Sequence, residues 1–256
     1  MVFVVGVISI GYILLQNDVV DENIAINGDD TDNSIFDADM DIFINIESTA
    51  DYSIDFSDNE VISNEADFII IGTIKSIDGA INYNPVKKGY TVIQTIGKIQ
   101  VNKVLKGDIK ENEISFIRTD GNITVSEYEK SLTEEYREYI GINKLNQDEK
   151  NSKYVVETTR GNITPEKEKT YLIYLTYFDD YERYGIRFSE YGLREIDSQS
   201  LNSDSNILNS DIKNLTLDEY KSIKVKNNET EEFEKLEDIV AENVVNNIKE
   251  QLNIIR

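Results

Sequence analysis

From Phe68 to Ile77 the chain is rich in β-branched apolar residues, a run that reads as a buried strand. Gly79 to Gly89, holding Asn84-Pro85 and Lys87-Lys88, has turn chemistry. Tyr90 to Leu105 reads as a long second strand. Beyond Gly97 it alternates, with Ile99 and Val101 on one face and Lys98, Gln100 and Asn102 on the other. A glycine inside such a strand marks a bulge or bend. Lys106-Gly107-Asp108 predicts a turn and Glu113–Thr119 a third strand. Thr170–Phe178 is apolar on both faces, as a central strand should be. Tyr184, Ile186 and Phe188 alternate with Arg183 and Arg187, which predicts a last, half-buried strand.

Helical periodicity appears in fewer places. Ser126-Glu-Tyr-Glu129 has the spacing of a capping box, and the helix it opens would carry Tyr128, Leu132, Tyr136 and Ile140 on one stripe. Gly141–Lys153 is polar and reads as a loop. Asp197–Asn214 reads as a linker, followed by a second capping box, Thr216-Leu-Asp-Glu219. Phe233, Leu236, Val240, Val244, Ile248 and Leu252 recur at helical spacing and predict one amphipathic helix from about Glu229 to Asn253. The stripe either docks on the body of the protein or is offered to a partner.

Three strands, a helix and two more strands, with a long glycine-bent second strand, suit a mainly β fold with added helices. Its expected core is a five-stranded antiparallel barrel of the OB type. Three strings carry a resemblance: Asp67-Phe-Ile-Ile-Ile-Gly-Thr-Ile-Lys75, Ile99-Gln-Val-Asn-Lys-Val-Leu-Lys-Gly107 and Ile163-Thr-Pro-Glu-Lys-Glu-Lys-Thr-Tyr-Leu-Ile-Tyr-Leu175. Together they resemble a group of uncharacterised exported or membrane-anchored proteins of Gram-positive bacteria. The barrel of that group is similar to the netrin-like and metalloproteinase-inhibitor fold. The resemblance spans about Asn64 to Ile196 and implies architecture, not activity. Animal inhibitors of that fold act through a disulfide-tethered N-terminal cysteine; with no cysteine here, that mechanism does not carry over.

Charge divides the chain. No Lys or Arg occurs before Lys75, while sixteen Asp or Glu lie between Asp18 and Asp67, so this stretch holds most of the net −23. Ahead of it, Val2–Leu15 is uncharged and apolar. That is shorter than a bilayer span of about 20 residues and closer to a signal-peptide core. It is expected to be a hydrophobic helix that anchors the chain, or an uncleaved signal; a buried strand of the globular domain is the competing reading. A base-free flank places the remainder of the chain on the far side of the membrane. The expected organisation is an anchor at 1–16, an acidic spacer at 17–63, the barrel at 64–197, and a linker with C-terminal helices at 198–256. Within the spacer, Ile42–Ile46 has the look of a short strand. Acids alternate at Asp30/Asp32 and Asp37/Asp39/Asp41, but neither run has glycine at the sixth position of a calcium loop.

Composition narrows the chemistry. Without cysteine or histidine there is no thiolate metal site, no cysteine nucleophile and no imidazole base. No phosphate loop or serine-nucleophile motif occurs. Neither metal nor cofactor is implied. Net −23 disfavours nucleic acid. Arg118-Thr-Asp-Gly-Asn-Ile-Thr124 and Arg160-Gly-Asn-Ile-Thr164 share four residues and read as turns. Fifteen tyrosines without tryptophan leave some for exposed contacts. Candidate ligand-binding residues are Tyr83, Lys87, Lys88, Arg118, Tyr177 and Tyr181. The expected function is a non-enzymatic, membrane-tethered binding module at the cell surface, its partner a protein or a surface glycan. The alternatives are a secreted carbohydrate-active hydrolase working through a carboxylate pair and a protease-inhibitor-like module.

Overall fold

The computed structural model describes residues 40–49, 54–197, 212 and 215–254. The expected N-terminal hydrophobic helix lies outside these residues. Among the described residues no helix is long and apolar enough to cross a membrane.

The chain is mainly β, with short helices added. Strand β1 (Ile42–Ser48) and helix α1 (Asn59–Glu65) precede the long strands β2 (Phe68–Asn84) and β3 (Gly89–Lys106). Then come β4 (Glu113–Thr119), β5 (Gly121–Thr124), α2 (Val125–Tyr128), α3 (Glu134–Tyr139) and α4 (Gln147–Ser152). They are followed by β6 (Tyr154–Thr159), β7 (Thr170–Phe178), β8 (Arg183–Ile186) and β9 (Leu193–Glu195). The C-terminal part holds α5 (Leu217–Ser222), β10 (Lys224–Lys226), β11 (Phe233–Lys235), α6 (Leu236–Ile239) and α7 (Glu242–Ile254).

The main sheet runs β2-β3-β4-β8-β7-β9, and a further β2·β7 pairing turns it into a partly closed ring. The five expected strands are all present in it. They are not all antiparallel: β4 and β8 run parallel through Phe116↔Tyr184 and Ile117↔Gly185. The parallel pair arises because the chain makes a long excursion, 120–169, between β4 and the β7–β8 hairpin. Ile70, Ile74, Ile99, Phe116, Tyr171, Ile173 and Leu175 fill the ring.

Strand β2 extends seven residues past its expected end, pairing with β3 as far as Asn84↔Gly89. Its ladder slips between Ile74 and Ser76 and between Ile77 and Gly79, extra residues that twist and bend it. Gly97 answers on β3: a Cβ there would lie 2.1 Å from Ser76 O and 2.7 Å from the Phe116 ring. Its role is close approach of backbone and ring.

Outside the ring, β1-β6-β5 forms a second sheet, with β1 parallel to β6. Part of the expected acidic spacer therefore belongs to the fold. Phe43, Ile44 and Ile46 of β1 pack on a small core of Ile93, Ile123, Val125, Ile142 and Val155. Phe56 and Ile62 join a larger core with Leu172, Tyr174, Tyr220, Leu236, Ile239 and Val244. The C-terminal segment docks on the outer face of the ring through that core.

Two helical expectations are corrected. The helix expected over Glu229–Asn253 is broken into β11, α6 and α7. Asn227 folds the chain into a hairpin, with Glu231 at φ 60 and its N–H bonded to Asn227 O. Phe233 is left exposed on β11. Val240 is extended, and α7 restarts with the Ala241 N–H held by buried Ser63 Oγ at 3.1 Å. The cap expected at Ser126 is supplied by Thr124, whose Oγ1 accepts from the Glu127 N–H. That helix stops after one turn and restarts at Thr133, leaving Tyr139 exposed. The expected loop over Gly141–Lys153 contains α4, closed by an Asn146/Glu149 capping box. The Thr216/Glu219 box forms as read.

Candidate functional site

Beyond the ring, β2 and β3 continue as an arm whose root rests on the second sheet. There the two segments sharing Gly-Asn-Ile-Thr meet. Asp120, at φ 87 after β4, accepts from Thr159 Oγ1 at 2.6 Å and from Asn162 Nδ2. Arg118 donates through Nη1 to the Ile163 carbonyl. Thr95 on the arm donates its N–H (2.8 Å) and Oγ1 (2.7 Å) to the Asp120 carbonyl. Gly121 permits this approach, since a Cβ there would lie 2.8 Å from Thr95 Oγ1 and 2.9 Å from Ala80. From β6, Glu157 Oε2 accepts the Ile93 N–H at 2.8 Å.

Both carboxyls are largely buried, and burial raises Asp120 and Glu157 above the usual carboxylate range. For Asp120 the Thr159 and Asn162 donors and the nearby Arg118 charge pull the other way. For Glu157 the Ile93 N–H opposes the rise and the Asp120 charge adds to it. A cavity of about 10 Å³ lies among Thr95, Arg118, Asp120, Ile163 and Pro165, room for about one water. Both Asp120 carboxylate oxygens and Glu157 Oε2 face protein donors, and a space of that size takes no sugar ring. The cluster fastens the arm to the second sheet.

The arm's far end is built differently. Asn84, buried, accepts from the Val86 and Lys87 N–H groups at 3.0 and 2.9 Å through Oδ1, folding the chain around Pro85. Lys88, at φ 50, and Gly89 complete the turn. Tyr83 and Tyr90 are cross-strand partners, their rings edge-on at 5.2 Å. Val92 follows Tyr90 on the same face. All four apolar side chains stand in solvent: Val86 is 62% exposed, and Tyr83, Tyr90 and Val92 are 40–45% exposed.

The arm curls until its tip reaches the β7–β8 turn. Lys87 Nζ pairs with Asp180 at 2.6 Å, and Asn84 Nδ2 approaches the same carboxylate. The pairing raises Lys87 and lowers Asp180. Of the candidate residues, Tyr83, Lys87 and Lys88 therefore share the tip, and the Tyr181 hydroxyl is close enough for its charge to influence Lys87. Tyr177 lies on the outer part of β7, edge-on to Tyr184 at 5.0 Å. Arg118 is not with them: it is 4% exposed and belongs to the root cluster.

Comparison with protein-family models, curated proteins and solved structures found no match.

Sequence reading missed Asp120, Glu157, Val86, Tyr90 and Val92. A signal for the arm existed. Residues 79–107 contain Lys87, Lys88, Lys98, Lys103 and Lys106 but no Asp or Glu, in a chain with 49 acids. An acid directly after Val155-Val156, inside a β-prone run, was the signal for Glu157. Among the described residues no cluster of acids is arranged to hold a metal.

Proposed function

We propose that the protein is a non-enzymatic binding module displayed at the cell surface, tethered through residues 2–15, and that the β2–β3 arm makes its contact. The observation that carries this reading is the exposed set Tyr83, Val86, Tyr90 and Val92 at the end of a hairpin pinned at its root. A rigid root lets an arm hold apolar groups in water without collapsing onto the core, a cost that binding would offset. We further read the ring as a variant OB barrel. Support comes from the closure β2-β3-β4-β8-β7-β2, the parallel third and fifth strands, and helices between the third and fourth. In such barrels the first hairpin is a common contact element, an analogy of fold alone.

The hydrolase alternative has little support at the root, where both carboxylates are occupied by protein donors. Two measurements test the proposal. Protease added to intact cells should degrade the protein, and protection would refute the surface placement. Envelope material should retain the full chain but not a Tyr83→Ser/Tyr90→Ser variant that unfolds at the same urea concentration; equal retention would refute the role of the arm.

A further inference from the structure

We infer that the arm's partner is a lipid bilayer surface, into whose interface the tip inserts Val86 with Tyr83 and Tyr90 beside it. The inference rests on the arm being the contact element and names what it contacts.

The side chains at the tip suit a bilayer boundary better than the other surfaces. Val86, the most exposed, sits at the apex of the turn. Tyr83 and Tyr90 flank it one step back, and tyrosine favours the zone where an apolar ring meets headgroups and water. Lys88, next to the apex, can reach lipid phosphate with its ammonium while its stem lies along apolar surface.

Electrostatics point the same way within limits that the residues set. The chain as a whole, at net −23, is repelled by an anionic membrane. The arm itself, residues 79–96, carries Lys87 and Lys88 and no Asp or Glu. Lys87 is neutralised by Asp180, and Lys88 makes no ion pair among the described residues. The neighbouring turn adds exposed Asp179 and Glu182, two charges that Arg183 and Lys88 offset. The arm is thus the part of this acidic molecule that can approach lipid without net repulsion, tip first. An area this small binds weakly by itself. A tether on the same membrane would make the contact intramolecular and raise the effective concentration.

Absence of tryptophan makes the test clean. In the full chain, Val86→Trp introduces a single indole at the apex, and Tyr139→Trp introduces one on α3, an equally exposed site on another face. Each is mixed with vesicles of phosphatidylcholine alone or with phosphatidylglycerol, with and without brominated acyl chains. The expected result is a shift of the position-86 emission to shorter wavelength and its loss with brominated lipid, in vesicles of phosphatidylcholine alone as well as with phosphatidylglycerol. The position-139 emission should stay unchanged. Hydrogen exchange of the unsubstituted chain should slow at residues 83–92 on the same vesicles. An unmoved position-86 signal, or equal responses at both positions, overturns the inference. If envelope retention still depends on Tyr83 and Tyr90 in that case, the arm serves a protein or glycan and the broader proposal stands.

Discussion

Glu157→Gln offers a direct test of how the arm is fastened. In the native protein Glu157 Oε2 holds the N–H of fully buried Ile93 at 2.8 Å. Burial and the Asp120 charge hold the Glu157 pKa above its ordinary value. An unfolded glutamate titrates near pH 4.3. Between there and its raised native value, the folded state binds more protons than the unfolded state. This group's contribution is therefore fully present below about pH 4.3 and lost as pH rises through the native value, by at most about 1.4 kcal/mol per pH unit. Glutamine keeps an acceptor for Ile93 and removes the charge. Relative to wild type, Glu157→Gln should thus gain stability as pH rises above about 4.3, and level off once folded Glu157 has lost its proton. Glu157→Ala leaves a buried N–H without its acceptor and should lose about 1–3 kcal/mol. Urea unfolding of the three proteins at several pH values measures both effects. A Gln–wild-type difference that does not change with pH, or equal losses for Gln and Ala at pH 7.5, would refute the reasoning.

Gly97→Ala should cost about 1–3 kcal/mol by urea unfolding, since its Cβ meets Ser76 O and the Phe116 ring inside contact distance. Ser63→Ala removes the acceptor for the buried Ala241 N–H and should lower stability by about 1–3 kcal/mol; an unchanged midpoint would mean that α7 does not dock there. Thr216→Ala breaks the α5 capping box and should cost about 1 kcal/mol. Lys87→Ala should leave the unfolding midpoint where it is, because its ion pair with Asp180 is exposed to solvent.

Strands that carry their own burial pattern were legible. Thr170–Phe178 is apolar on both faces because it is central, pairing with β2 on one side and β8 and β9 on the other. Strand β6 was hidden for the opposite reason. Tyr-Val-Val-Glu-Thr-Thr follows a polar stretch, and its acid finds a place only because the arm supplies the Ile93 N–H. The C-terminal helix misled because Phe233 falls on the helical stripe by spacing while the Asn227 turn folds it into a hairpin. Arg118 and Tyr83 both looked available for binding. Their difference in burial comes from the contact of residues 118–124 with 159–164, forty residues apart, which periodicity does not encode. The tip was half visible in Tyr83 and Lys87-Lys88, but the partnering Tyr90 and the turn that lifts Val86 depend on strand register.

Phe56 and Ile62, from before the ring, and Tyr220 and Val244, from after it, share one core with Leu172 and Tyr174 on the outer face of β7. The flanks thus brace the ring like a clasp closed from both ends. Clipping either flank would strip cover from Tyr174, which is fully enclosed. Heating should therefore release flanks and ring together in a single cooperative melting event.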